Sequence, residues 1–223
     1  MSLSVKTQGG TGGMTASIFV TGLTETDTVT ATKGGKAVRG KWITEEKIAS
    51  YSIPTMTSNT TPEGTVTASA YRDDISAPFH AFDHHEKGEL LRWATYNQGL
   101  SQWIQYDFGK TVSISSFELE LFYYNGVYDT ACAPTAVKVQ AVIDGVLEDV
   151  TETITISSWD NGLFTYELPN SVEATAIRFV FTVPNDFKLG RIQVYGTVRE
   201  TVSGHEITKI KDYGMWTVTA TNG

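Results

Sequence analysis

A single cysteine, Cys132, is the first constraint: with one thiol the chain closes no intramolecular disulfide and builds no cysteine zinc cluster, so packing alone must hold it. Long apolar runs are missing too. No stretch approaches eighteen consecutive apolar residues, which leaves no helical membrane span and no membrane insertion to expect. The opening MSLSVKTQGGTGGMTAS has no apolar segment of the kind a secretory leader needs, and none is expected. Positive charge is scarce and scattered. With 17 basic against 25 acidic residues, a net charge of −8 and no basic run to neutralise a row of phosphates, nucleic acid is not an expected partner.

Catalytic signatures are absent in the same way: the sequence has no GxSxG elbow, Walker loop, dinucleotide fingerprint or HExxH helix. HAFDHHE gathers His80, Asp83, His84, His85 and Glu86, yet zinc needs three or four ligands converging from a fixed scaffold. A solvated loop is the expectation, with no metal. Cys132 lies in DTACAP with no histidine nearby in sequence to act as its base, so it reads as structural. Nothing singles out a carboxylate pair for glycoside hydrolysis. The expectation is a protein that is not an enzyme and needs no cofactor.

What the sequence does have is strand. Thr, Val, Ile, Tyr and Phe recur with period two and are cut every eight to twelve residues by Gly, Asn, Asp or Pro, which predicts an all-β fold. FELELFYY places Phe117, Leu119, Leu121 and Tyr123 on one face, with Glu118 and Glu120 on the other. AIRFVFTV turns Ile177, Phe179, Phe181 and Val183 inward, RIQVYG does so with Ile192 and Val194, and WIQYDFG with Ile104, Tyr106 and Phe108 before Gly109 ends the strand. Asp144-Gly145 suits a two-residue hairpin turn. The only passable helix is short, around EEKIA or HHEKGELLRW. Trp93 and Trp103 read most simply as packing at the core edge.

Weak breaks at YSIPTMTSNTTPEG and TVRETVSGH bracket about 150 residues, the usual size of one domain. Residues 1–14, rich in glycine between Gly9 and Gly13, read as a flexible segment. The ends outside the breaks share a phrase, DTVTAT and WTVTAT. In the first, Ile18 with Val20 and Val29 with Ala31 alternate, then Lys33-Gly34-Gly35-Lys36 turns the chain toward Val38 and Trp42. The closing part offers Ile207 and Ile210, a turn at Tyr213-Gly214, then Trp216, Val218 and Ala220 on one face. Neither end has enough strands to fold alone.

The middle segment resembles the discoidin family, also called the coagulation-factor C-type or galactose-binding-like family. The resemblance rests on Ala81 to Asp83, Trp93, Trp103 to Gly109, APTAVKVQAVIDG, TAIRFVF and GRIQVYG in the family's order, over roughly residues 51–198. It implies a galactose-binding-like β-sandwich, a jelly roll, that binds a cell-surface saccharide with loops at one end. Those loops map to AYRDDISAPFHAFDHHEKG, FYYNGVYDTACAP and VPNDFK. They supply Tyr71, Arg72, Asp74, His84, His85, Tyr123, Tyr124, Tyr128, Asn185 and Phe187 as ligand-binding residues, aromatic faces for the ring carbons and polar groups for the hydroxyls. The resemblance also implies a structural calcium through Asp83, but Arg191 stands where an acid belongs and a guanidinium repels the ion.

The two ends resemble the small immunoglobulin-like domains of bacteriophage tail and virion proteins, whose pattern includes T-V-T-A-T and Y-G-x-W-T-V-T-A-T. That implies a discontinuous immunoglobulin-like β-sandwich, residues 15–48 with 200–223, accepting the 49–199 domain as an insertion. Val29 and Val218 then belong to one small core that excludes Phe117 and Phe179. The functional expectation is a non-catalytic virion protein of tail or baseplate, assembled in the bacterial cytoplasm, that binds host-surface carbohydrate and touches other virion proteins. Oligomers are compatible with it. The alternatives are a purely structural decoration or tail-assembly protein, and an accessory carbohydrate-binding module of a glycan-degrading system, with the bacterial cell surface as the other location.

Overall fold

The computed structural model of the chain describes residues 4–8, 16–210 and 216–221. The glycines from Gly9 to Gly13 and the Tyr213-Gly214 turn lie outside the described residues. In chain order the strands begin with β1 (Ser4–Gln8), β2 (Ala16–Thr21), β3 (Thr28–Lys33), β4 (Lys36–Arg39) and β5 (Lys41–Ser52). They continue with β6 (Thr65–Ala68), β7 (Trp93–Tyr96), β8 (Ser101–Leu121), β9 (Tyr123–Tyr124), β10 (Val127–Tyr128), β11 (Ala136–Ile143) and β12 (Val146–Asp149). β13 (Ile154–Thr155), β14 (Leu163–Thr182), β15 (Asp186–Ile210) and β16 (Thr217–Thr221) complete the order. The chain divides into two compact units, residues 1–48 with 200–223 and residues 49–199, so β5 and β15 each contribute to both.

In the first unit the two TVTAT phrases are hydrogen-bonded neighbours. β16 lies antiparallel to β3 with Thr28 opposite Thr221 and Thr32 opposite Thr217, and β3 turns through positive-φ Gly34 and Gly35 onto β4. Ile18, Val20, Val29, Ala31 and Ile207 are buried together, with Val38, Trp216 and Val218 packed against them. Phe117 and Phe179 lie in the other core. The reading of residues 1–14 as flexible needs correcting for part of its length. β1 pairs with β2 from Ser4 opposite Thr21 to Gln8 opposite Ser17, because ladder hydrogen bonds organise a polar, β-favouring segment that has little to bury.

The second unit is an all-β sandwich made by a curled sheet in the order β15-β8-β14-β11-β12, with β6 on β8, β7 on β15 and β13 on β11. Period-two burial builds it. Ile104, Tyr106, Phe108, Phe117 and Leu119 from β8 meet Ile177, Phe179 and Phe181 from β14 and Ile192 and Val194 from β15, all nearly inaccessible to water. Asp144 and Gly145, both at positive φ, form the turn between β11 and β12.

Several local expectations change. Gly109 does take positive φ, but β8 runs on through it as an irregularity in the pairing with β14, because Val112 and Ile114 resume the inward alternation. EEKIA lies inside β5, and HHEKGELLRW forms no helix; its Gly88 and the polar residues around it favour an irregular loop. The described helical turns are short 3-10 segments at Asp74–Ser76, Pro78–Ala81 and Thr130–Cys132. Glu120 is buried where alternation would expose it, since two cations come to meet it.

Phe179 has no exposed surface and meets Phe117 edge-on at 5.1 Å. Replacing it with alanine is expected to cost about 3–5 kcal/mol in urea unfolding of the full chain. A change near zero would contradict the packing described.

Candidate functional site

The loops at one end of the 49–199 unit hold a recess of about 320 Å³. That is near the lower bound of ordinary small-molecule sites, about 300–1,000 Å³. Its apolar wall is Phe122, Tyr124 and Val127, and its polar groups are Asn125, Tyr128, Asp129, Thr130 and Lys188. The β9–β10 hairpin makes the wall. Asn125 and Gly126 take positive φ in a two-residue turn, which lifts Tyr124 to 40% exposure with its ring parallel to buried Phe122 at 6.0 Å. Tyr128 is fixed from behind: a Cβ on Gly162, itself at positive φ, would stand 2.3 Å from the Tyr128 ring.

In the same recess, Lys188 Nζ donates to Asp129 Oδ2 at 2.9 Å and lies 3.4 Å from both Asp186 Oδ2 and Cys132 Sγ. Burial lowers the Lys188 amine, but the hydrogen bonds to Asp129 and Cys132 outweigh it and raise it above its ordinary value. Burial likewise acts to raise Asp129, and its bond from Lys188 brings the carboxyl below the ordinary range. The recess therefore presents a fixed ammonium beside a fixed carboxylate. Burial pushes the Cys132 thiol up to about 11, which makes it a poor nucleophile.

The residues marked out from the sequence fall into separate places. Tyr124 and Tyr128 line the recess. Tyr71, Arg72, Asp74 and Asn185 are exposed on the surrounding loops, with the Arg72 guanidinium 5.9 Å over the Tyr96 ring and the Asn185 carbonyl accepting from Asn97 N–H. Tyr123 and His85 border a second hollow of only about 20 Å³, together with Lys87, Glu120 and Arg191. His84 is engaged by Thr55 and Gln193. Phe187 is a correction. Its ring has no exposed surface and sits edge-on to Trp93 at 5.0 Å, so it belongs to the core and meets no ligand. The chemistry of that strand is carried by its neighbours, Asp186 and Lys188, which alternation turns the other way.

Sequence reasoning also missed Phe122, Asp129 and Lys188, which line the recess. The Asn125-Gly126 dipeptide was the available signal, because it marks a tight hairpin that projects Tyr124. Trp93 is fully buried, its indole N–H donating to the Ala70 carbonyl, while Trp103 is half-buried under the Arg178 guanidinium at 4.3 Å.

The residues around Asp83 do not fit a calcium ion. Its Oδ2 accepts from His80 Nδ1–H at 2.6 Å, and its Oδ1 accepts from His85 Nδ1–H at 2.6 Å and the His85 amide at 3.1 Å. Arg191 is turned to Glu120, 3.0 Å away, which Lys87 also contacts at 3.2 Å. A hard cation would find carboxylates already engaged and two side-chain cations nearby.

On this geometry the 49–199 unit has the class of an all-β, galactose-binding-like sandwich with a ligand-sized recess at its loop end. The F5/8 type C domain model matches residues 65–192, more than half the sequence, and the chain belongs to that family. No curated protein matches it. Among solved structures it is similar to the family 32 carbohydrate-binding module of Clostridium perfringens NanJ in complex with galactose, at 17% identity and TM-score 0.53, covering 66% of this chain and 99% of that one. It is also similar to the F5/8 type C domain of a Bacteroides fragilis protein, at 12% identity and TM-score 0.51, covering 59% of this chain and 90% of the other. At these identities the likeness shows a shared fold alone.

Two tests follow from the Asp83 cluster. Burial acts to raise this carboxyl, but the hydrogen bonds from His80 and His85 prevail and hold it at about 2. Because the folded value is depressed, the stabilisation is present above the unfolded value near 4 and is lost as pH falls through 2: about 2 kcal/mol should disappear between about pH 5 and pH 1. Acid unfolding of Asp83→Asn should lack that increment; an identical pH profile would contradict the assignment. Calcium or EDTA should leave the melting temperature of the full chain unchanged, and a rise of several degrees with calcium would overturn the misfit argued above.

Proposed function

We propose that the chain is a non-catalytic carbohydrate-binding protein whose 49–199 unit takes a saccharide into the recess beside Tyr124. One observation carries the reading: a recess of about 320 Å³ is lined both by the exposed ring of Tyr124 and by the hydrogen-bonded Lys188–Asp129 pair. A pyranose has a CH-rich face that suits an aromatic ring, and neighbouring hydroxyls that accept from an ammonium and donate to a carboxylate. Tyr128 and Thr130 also line the recess. Membership in the F5/8 type C family supports the reading, as does the fold shared with a bacterial module crystallised with galactose.

The setting of that activity is a further part of the proposal. An accessory module of a glycan-degrading system is compatible with the fold shared with the NanJ carbohydrate-binding module. A virion component is motivated by the TVTAT phrases of residues 28–32 and 217–221 and their resemblance to phage immunoglobulin-like domains. Peptide mass spectrometry of purified particles, set against the secreted fraction of the source cells, separates the two settings.

A broad glycan array probed with the full chain and with Tyr124→Ala tests the function. Wild type is expected to bind a defined set of saccharides, and Tyr124→Ala to lose at least about ten-fold in affinity, the loss expected when a central aromatic contact is removed. Absence of wild-type binding, or equal binding by the variant, would overturn the assignment to this recess.

A further inference from the structure

We propose that Arg92 is a positioning residue for the aromatic wall of the recess: its buried guanidinium holds the Phe122 ring and, through it, Tyr124. The proposal rests on the reading of the recess as a saccharide site. Arg92 is 7% exposed, and an arginine buried to that degree ordinarily has a carboxylate partner. This one is sparsely partnered. Its Nη1 donates to the Leu90 carbonyl, while its Nε is buried without a hydrogen-bond partner. Two carboxylates act on its charge, Asp73 and Asp186, yet each keeps one buried oxygen unpartnered and directs the other toward a different cation, Arg72 or Lys188. Anchoring an ion pair therefore does not account for Arg92.

Its close contact with a ring does. The guanidinium carbon lies 5.2 Å from the Phe122 centroid, over the ring, and Phe122 is nearly parallel to Tyr124, with 10° between the planes. Arg92 thus contacts Phe122 and Phe122 contacts Tyr124, a chain of contacts from a desolvated cation to an exposed ring. Cation–π attraction strengthens when the cation is shielded from water, as it is here. Tyr124 needs such support because β9 and β10 are two residues each, and so short a hairpin is marginal by itself. A ring ordered beforehand loses less freedom when a ligand arrives. Lysine would keep the charge at position 92 but lose the planar face.

The test compares wild type, Arg92→Lys and Arg92→Met as full chains. Calorimetric titration uses the tightest array saccharide, and carbon relaxation of labelled tyrosine rings, with Tyr124 assigned through Tyr124→Phe, follows the ring without ligand. Both Arg92 variants are expected to melt within a few degrees of wild type, to show increased Tyr124 ring motion, and to bind about ten-fold more weakly with the loss in the entropy of binding. Wild-type behaviour of Arg92→Lys in both measurements would overturn the proposal, because charge alone would then suffice. Should Arg92→Met fail to fold, Arg92→Lys decides alone. If wild type binds and Tyr124→Ala does not, while both Arg92 variants bind normally, the recess reading stands and the role of Arg92 falls. If no saccharide binds wild type, the recess reading fails, and an unchanged Tyr124 ring in the Arg92 variants rejects the positioning role as well.

Discussion

Burial of Phe187 governs the geometry of the loop end. Its ring completes a series of buried aromatics, with Phe117 on Phe179, Phe179 beside Phe181, and Phe181 and Trp93 both against Phe187, at centroid distances of 5.0–6.1 Å. Successive strand residues point to opposite faces, so a ring fixed inward at 187 sends residues 186 and 188 the other way. There Asp186 and Lys188 meet Asp129 and Cys132 from the 3-10 segment that follows the hairpin. Pairing of β15 with β7 sets Leu189 opposite Trp93 and Asp186 opposite Tyr96, so the same core ring that locates the cation also locates the strand following Arg92. Recess chemistry is in this sense a by-product of core packing.

Several buried or half-buried acids are met by side chains of the chain itself. Asp83 is held by two histidines, Glu120 by Lys87 and Arg191, and Asp129 by Lys188, so each of these acids has its cation or donor supplied by the chain itself. The long loop from Asp83 to Arg92 is pinned at its start by the histidine bonds and midway by Lys87, which also bonds the Tyr128 hydroxyl. One lysine thereby connects that loop to the hairpin bearing Tyr124. Ion pairs of an exposed side chain such as Lys87 contribute little individually, and their value here is geometric.

Much of the sandwich was readable from alternation alone. Phe117, Leu119, Ile177, Phe179, Phe181, Ile192 and Val194 face inward as period two requires, since burial on a pleated strand leaves the sequence little choice. The exceptions are informative. Glu120 and Gln193 occupy positions that alternation exposes, yet both are buried, held by partners more than twenty residues away that no local pattern announces. The candidate site was less readable for the same reason. Choosing Phe187 over Lys188 from VPNDFK followed residue type, whereas strand parity decided which of them reaches the recess. Nothing local in the sequence marks Arg92, because its contact with Phe122 spans thirty residues of sequence.

The saccharide reading depends on one location, the recess between Tyr124 and Lys188. Backbone amide chemical shifts of the full chain, followed while an array-selected saccharide is added, locate the ligand directly. Shifts centred on Tyr124, Val127, Thr130 and Lys188 are the predicted result. Shifts centred on the sheet residues Thr67, Lys138 and Gln140, with the hairpin unmoved, would contradict it.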